Sequence, residues 1–277
     1  MGEASFDMAG YSTILRVYEE CVRAIREGKL IQRESRQDKE FHFQNWVSKR
    51  LTETGLNFEQ GGRNSYPDFR MVHIPEGYEV KGLAYPGRET NYDSNSQVPS
   101  GSHNGRLVFY IFGRYPAKPD GNSFPVLDLV LCHGDFLNVD HEYIHKNKNI
   151  KGFGSYGDIM IRDRKMYVAP TPFGLVAGVA HAQTLILPED FVVPDDYYTV
   201  GTLVRKESDQ LIVGYSFDLR ANELIAETIE NPSAGYEHAF KAWRLEGSSS
   251  EPVVMRDLNQ IISALDQIDD AGSDHDE

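Results

Sequence analysis

The feature that most constrains this chain is a change of texture near residue 66. Before it, apolar residues recur at helical spacing. Ile14, Leu15, Tyr18, Val22 and Ile25 predict a helix over 11–27, stopped by Gly28. A second helix is expected over 36–54, ending before Gly55, and the Gly/Asn/Ser-rich segment 60–65 reads as a loop. After residue 66, short runs rich in Val, Ile, Phe and Tyr occupy 66–74, 78–83, 106–114, 125–132, 158–168, 198–206 and 211–219, with turn residues between them. The last two runs predict a hairpin around Glu207, Ser208 and Asp209. Helices are expected again at 235–244 and 253–267, while 170–200 carries no readable pattern. This order of elements predicts a mixed α/β (α+β) domain with a central mixed β-sheet flanked by helices. No repeat or linker interrupts it, so residues 1–265 are expected to form one domain.

Composition narrows the class. Of 277 residues, 40% are hydrophobic and 11% aromatic, enough for a sizeable core. Mean hydropathy is negative, and no apolar run reaches the roughly 18 residues of a membrane helix, so a membrane-spanning chain is not expected. No basic-then-apolar segment opens the chain, so a secreted precursor is not expected either. Two cysteines, Cys21 and Cys132, exclude a disulfide scaffold and fit a reducing, cytoplasmic setting. The net charge is −14, which alone argues against nucleic acid as a partner. Six of the acids lie in Asp266–Glu277 with no Lys or Arg, and this segment is expected to be a disordered tail.

The most informative stretch is Tyr66-Pro67-Asp68-Phe69-Arg70-Met71-Val72, a turn at Pro75, Glu76 and Gly77, then Tyr78-Glu79-Val80-Lys81-Gly82-Leu83. On a strand, Glu79 and Lys81 share one face while Tyr78 and Val80 take the other. Antiparallel pairing across the short turn would set Asp68 beside Glu79. Two adjacent carboxylates favour a bound divalent cation, which phosphodiester hydrolysis needs. A neighbouring ammonium could orient or deprotonate the attacking water.

Pro67-Asp68 followed by Glu79-Val80-Lys81 resembles the PD-(D/E)XK nuclease superfamily. The resemblance implies a restriction-endonuclease-like fold, with Asp68 and Glu79 binding Mg²⁺ and Lys81 positioning or activating water. It also gives a role to Glu40. On the preceding helix Val47 and Leu51 flank Glu40's direction, Gln44 follows one turn on, and Phe43 and Trp46 widen the apolar arc. Members of the superfamily often carry an acid there, at the edge of the active site, and the resemblance makes Glu40 an assisting residue.

Beyond the motif runs a loop dense in groups that bind base edges or phosphates: Asn95, Ser96, Gln97, Ser100, His103, Asn104 and Arg106. Similar segments follow the catalytic strand in some type II restriction endonucleases, which the chain resembles on that basis. A basic segment with Lys146, Lys148 and Lys151, followed by Arg162, Arg164 and Lys165, is a second candidate for phosphate contact.

A rival motif is His141-Glu142-Tyr143-Ile144-His145, which resembles the zinc metallopeptidase signature. Its flanks read as a loop, and position 148 is Lys, so the longer metzincin pattern fails. Cys132, His133, His141 and His145 form a looser Cys/His set without a paired Cys-x-x-Cys. The expectation is therefore a sequence-specific type II restriction endonuclease. It would hydrolyse double-stranded DNA with Mg²⁺ to 5′-phosphate and 3′-hydroxyl ends, as a homodimer matching a palindromic site. The alternatives are a zinc metallopeptidase or a non-catalytic DNA-binding protein on the same fold. The helices at 11–27 and 235–267 are the candidate dimer surfaces.

Overall fold

The computed structural model describes residues 13–33, 41–62, 65–94, 97–139, 154–162 and 166–255. Helix α1 (Thr13–Arg26) buries Ile14, Val17, Tyr18, Cys21 and Val22 along one stripe. It ends where Gly28 takes φ +71°, with Gly28 N–H donating to Ile25 O and Lys29 N–H to Ala24 O. That is a Schellman cap, and the left-handed residue in it carries no Cβ penalty because it is glycine. Strand β1 (Ile31–Gln32) leads to helix α2 (Phe41–Glu53), then β2 (Phe58–Gln60), β3 (Phe69–Met71) and β4 (Glu76–Tyr85). Strands β5 (Asn91–Asp93), β6 (Ser102–His103), β7 (Arg106–Pro116), β8 (Ser123–Phe124) and β9 (Asp128–His133) follow. Next come β10 (Met160–Arg162), β11 (Met166–Pro170), the one-turn helix α3 (Pro172–Leu175), β12 (Val176–Ala177) and β13 (Gln183–Pro188). The described chain closes with β14 (Tyr197–Lys206), β15 (Gln210–Asp218), β16 (Glu223–Glu230), β17 (Glu237–Leu245) and β18 (Val254–Met255).

A nine-stranded mixed sheet dominates, in the order β14-β17-β13-β9-β7-β4-β3-β2, with β6 also paired to β7. Strands β2, β3 and β4 form an antiparallel meander, and β4 runs parallel to β7 over the whole of Glu76–Tyr85. Buried residues fall into two clusters. One gathers α1 and α2 with Tyr78, Val80, Phe109 and Leu131. The other gathers Tyr92, Tyr110, Phe112, Cys132 and Ile186. Neighbouring residues of β4, β7 and β9 divide between the clusters, as the two-residue period of a sheet buried on both faces requires. Helix α2 sits close because Gly82 and Gly113 are paired across β4 and β7, and a Cβ on Gly113 would fall 2.1 Å from the Phe43 ring. Among the described residues no helix is long and apolar enough to cross a membrane.

The mixed α+β class with a large mixed sheet is therefore as the sequence implied, but three local readings are corrected. Residues 235–244 hold strand β17 and not a helix. Phe240, Ala242 and Arg244 are buried while Ala239, Lys241 and Trp243 are half-buried, a period of two. Pairing with β13 on one side and β14 on the other overrides the helical propensity of Ala, Lys, Arg and Leu. This also removes the helix proposed there as a dimer surface. The expected 198–206/211–219 hairpin does not form: β14 pairs β17, and β15 pairs β16 in a separate ribbon. Glu207 extends the β14–β17 ladder instead of turning, exchanging backbone hydrogen bonds with Gly235 and Tyr236, while its side chain is buried on Asn231 and His238. Val254–Met255 form strand β18, the remainder of the helix expected at 253–267 lies outside the described residues, and so does the acidic tail.

Glu76 opens β4 with its side chain fully buried and, among the described residues, neither carboxylate oxygen hydrogen-bonded. Burial pushes its pKa up to about 8. A carboxyl whose folded pKa is raised binds more protons folded than unfolded between the two values. Its contribution is therefore fully present below about pH 4.5 and is lost as pH rises through about 8. Denaturant unfolding of Glu76→Gln is expected to show a flatter fall in stability between about pH 4.5 and pH 8 than the parent chain, and at pH 9 the variant should be the more stable.

Candidate functional site

Asp68 lies one residue before β3. The register Phe69 with Tyr78 and Arg70 with Gly77 sets it opposite Glu79. Side chains then replace the next ladder rungs. Asp68 N–H donates to Glu79 Oε2 at 3.2 Å, and Val80 N–H donates to Asp68 Oδ2 at 2.8 Å. The two carboxylates thus clasp each other's strand. Lys81 Nζ lies 2.8 Å from Glu79 Oε1 and 5.7 Å from the centroid of the Tyr92 ring. The sequence expectation that these three side chains share a place is met by the geometry.

The surroundings are aromatic. Tyr66 and Tyr110 hydroxyls lie 2.9 Å apart, and Tyr66 also donates to Ser100 O at 3.3 Å. Tyr92 and Tyr110 are buried and pack on Phe112. This wall lowers the local dielectric. It explains why the Asp68 pKa is pushed up to about 7: burial is the largest cause, followed by the Glu79 charge, against which the Val80 N–H and Lys81 pull down. The tyrosine wall was not identified from sequence. Tyr66 and Tyr110 flank readable motifs, but their meeting depends on long-range pairing.

The polar loop divides by role. Asn104 and Gly105 have φ of 50° and 74°, the tight turn that joins β6 to β7, and Asn104 is exposed at its tip. His103 packs its ring edge against Tyr66 at 4.9 Å and contacts the Asn104 amide at 3.0 Å. Ser100 is buried and donates to Ser102 O at 2.6 Å. Arg106 donates to Met71 O at 2.8 Å and Ile74 O at 3.4 Å, so it braces the β3–β4 turn. Gln97 is half-buried and donates to Val98 O at 3.1 Å. Of the expected DNA contacts here, His103 and Asn104 are thus the ones placed at the hairpin tip, beside the tyrosine that precedes Asp68.

Glu40, Asn95, Ser96, Lys146, Lys148 and Lys151 lie outside the described residues, as do His141, Glu142, His145, Arg164 and Lys165. Cys132 and His133 are neighbours on β9 and project to opposite faces, Cys132 into the Tyr92 cluster and His133 against Phe109 on the other side. They do not form a common ligand pair. Among the described residues no group of three or more His, Cys, Asp and Glu comes together, so the donor set at this site is the pair Asp68 and Glu79. That pair fits a divalent cation. Two oxygen-donor carboxylates converge beside a single ammonium, and Oδ1 of Asp68 carries no hydrogen bond among the described residues.

Asp68 has a folded pKa above its usual 3.8, so without a cation its ionisation costs stability as pH rises from about 4 to about 7. Asp68→Asn is expected to melt at or above the temperature of the parent chain at pH 8 in chelator, and the advantage should vanish at pH 4. Differential scanning calorimetry at both pH values checks this; a large loss at pH 8 would contradict the repulsion. Comparison of the chain with protein-family models, curated proteins and solved structures returns no match.

Proposed function

We propose that this chain is a Mg²⁺-dependent endodeoxyribonuclease with the fold and manner of a type II restriction endonuclease. The observation that carries the proposal is the reciprocal clasp of Asp68 and Glu79 with Lys81 Nζ 2.8 Å from Glu79. The β2-β3-β4 meander followed by parallel β7 supports it, because it gathers the paired acids and the lysine on one face of a mixed sheet. Asp68 and Glu79 would hold the cation. The chemistry such a cation supplies is neutralisation of phosphodiester charge and activation of water. Lys81 then directs the water by hydrogen bonding, or takes its proton, held between Glu79 and the Tyr92 ring. The buried rings of Tyr92 and Tyr110 lower the dielectric on one side of the site and so strengthen its charge interactions.

DNA is the substrate that this reading requires. The net charge of −14 makes docking dependent on cation at the Asp68–Glu79 pair, and on the cationic residues being gathered near it. A twofold dimer would present two such sites to the two strands of a palindrome. Products with 5′-phosphate and 3′-hydroxyl ends follow from water attack with departure of the 3′-oxygen.

Incubation with long mixed-sequence duplex DNA and Mg²⁺ is expected to yield discrete fragments. Lys81→Ala should slow cutting by about 10²–10⁴-fold, the usual contribution of a proton-transfer group. His141→Ala should leave cutting intact. Cutting that Lys81→Ala leaves undiminished, or zinc-dependent peptide hydrolysis lost in His141→Ala, would overturn the proposal. Tight DNA binding with no cutting in any divalent cation would favour a non-catalytic DNA-binding protein.

A further inference from the structure

On the other side of the sheet from Glu79 and Lys81, α2 and the segment around β1 enclose a cleft of about 250 Å³. Its chemistry is one-sided. Lys29, Gln32, His42, Asn45, Lys49 and Arg50 supply ammonium, guanidinium, imidazole and amide groups, and no carboxylate lines it among the described residues. His42, Asn45 and Lys49 fall at helical spacings of three and four, as do Trp46 and Arg50, so α2 offers these groups as one face.

Two buried donors in this face are unsatisfied. His42 is 5% exposed and Arg50 4%, and among the described residues neither His42 Nε2 nor Arg50 Nε has a hydrogen-bond partner. A buried polar nitrogen without a partner carries its full desolvation cost. Around them the side chains are tied to one another. Arg50 stacks on Trp46 at 5.0 Å and donates to Glu53 at 2.9 Å. Trp46 Nε1 donates to Lys29 O at 2.9 Å, pinning the β1 segment to the helix. Lys29 is steadied by Glu53 at 3.1 Å and Glu27 at 3.3 Å. Lys49 is exposed and makes no ion pair among the described residues.

We propose that this cleft binds a small phosphate-bearing anion. A tetrahedral oxyanion accepts several donors from different directions, which matches the guanidinium, two ammonium groups and two amides that line the cleft, with Glu53 and Glu27 holding Arg50 and Lys29 from outside the described lining. The volume is below the roughly 300–1,000 Å³ of drug-sized pockets. It suits inorganic phosphate or a compact phosphomonoester rather than a duplex. The site is separate from Asp68, Glu79 and Lys81 and stands whether or not the chain cuts DNA.

The test is titration of the full-length protein with inorganic phosphate and, in parallel, with a nucleoside 5′-monophosphate at constant ionic strength. Calorimetry and tryptophan fluorescence are the readouts. Saturable binding with a Kd on the order of 1 mM or tighter is expected. Tighter binding of the ester identifies a phosphomonoester as ligand, and equal binding identifies phosphate itself. Lys49→Glu, at an exposed position, should weaken binding by about tenfold or more. Arg50→Lys, which keeps the charge but loses the fork, should do the same with an unchanged circular dichroism spectrum. Absence of saturable binding by either anion at roughly tens of millimolar overturns the proposal. So does binding that both variants leave unchanged.

Discussion

The pairing of β4 with β7 is the contact from which the rest of this structure is hung. It aligns Glu76–Tyr85 with Leu107–Pro116 in parallel, at the centre of the nine-stranded sheet. Each face of that pair does a different job because side chains alternate. On one face the Gly82–Gly113 pair leaves a hollow that admits Phe43, so α2 docks and brings Trp46 and Val47 into the core. On the other face Glu79 and Lys81 project beside Tyr92 and Tyr110. A one-residue slip would exchange the two sets and bury the lysine under α2.

The same arrangement sets the electrostatics of the site. Asp68 and Glu79 are brought together by backbone register, not by mutual attraction, and each is held by a backbone N–H of the other's strand. Burial against tyrosines and the nearby carboxylate both oppose ionisation of Asp68. The fold therefore maintains an unfavourable charge pair that Lys81 only partly offsets. Such a pair is a common property of sites built to hold something positive. It also changes the meaning of the acidic composition, since charges at this place would be neutralised by a ligand before a polyanion approaches.

Much of this was legible in the residues. The helices were readable because their apolar stripes are regular and α1 ends on a glycine that can take positive φ. Asp68, Glu79 and Lys81 were readable because a short turn joins them and local register decides which side chains meet. What failed was decided by distant partners. β17 reads as a helix until β13 and β14 flank it, and β14 and β15 read as a hairpin until Glu207 is seen to continue toward Gly235 and Tyr236. The tyrosine wall and the structural use of Arg106 were hidden for the same reason. Tyr92 arrives on β5 through pairing with β11, and Arg106 is bound to carbonyls more than thirty residues away.

The central claim is that Asp68 and Glu79 together hold a divalent cation. Crystals of the protein soaked in Mn²⁺, with data collected at the manganese absorption edge, test it most directly. The account predicts an anomalous peak bridging the two carboxylates, at about 2.0–2.2 Å from an oxygen of each, in the range of a Mg²⁺-type site. A peak elsewhere in the molecule with none between Asp68 and Glu79 would contradict it.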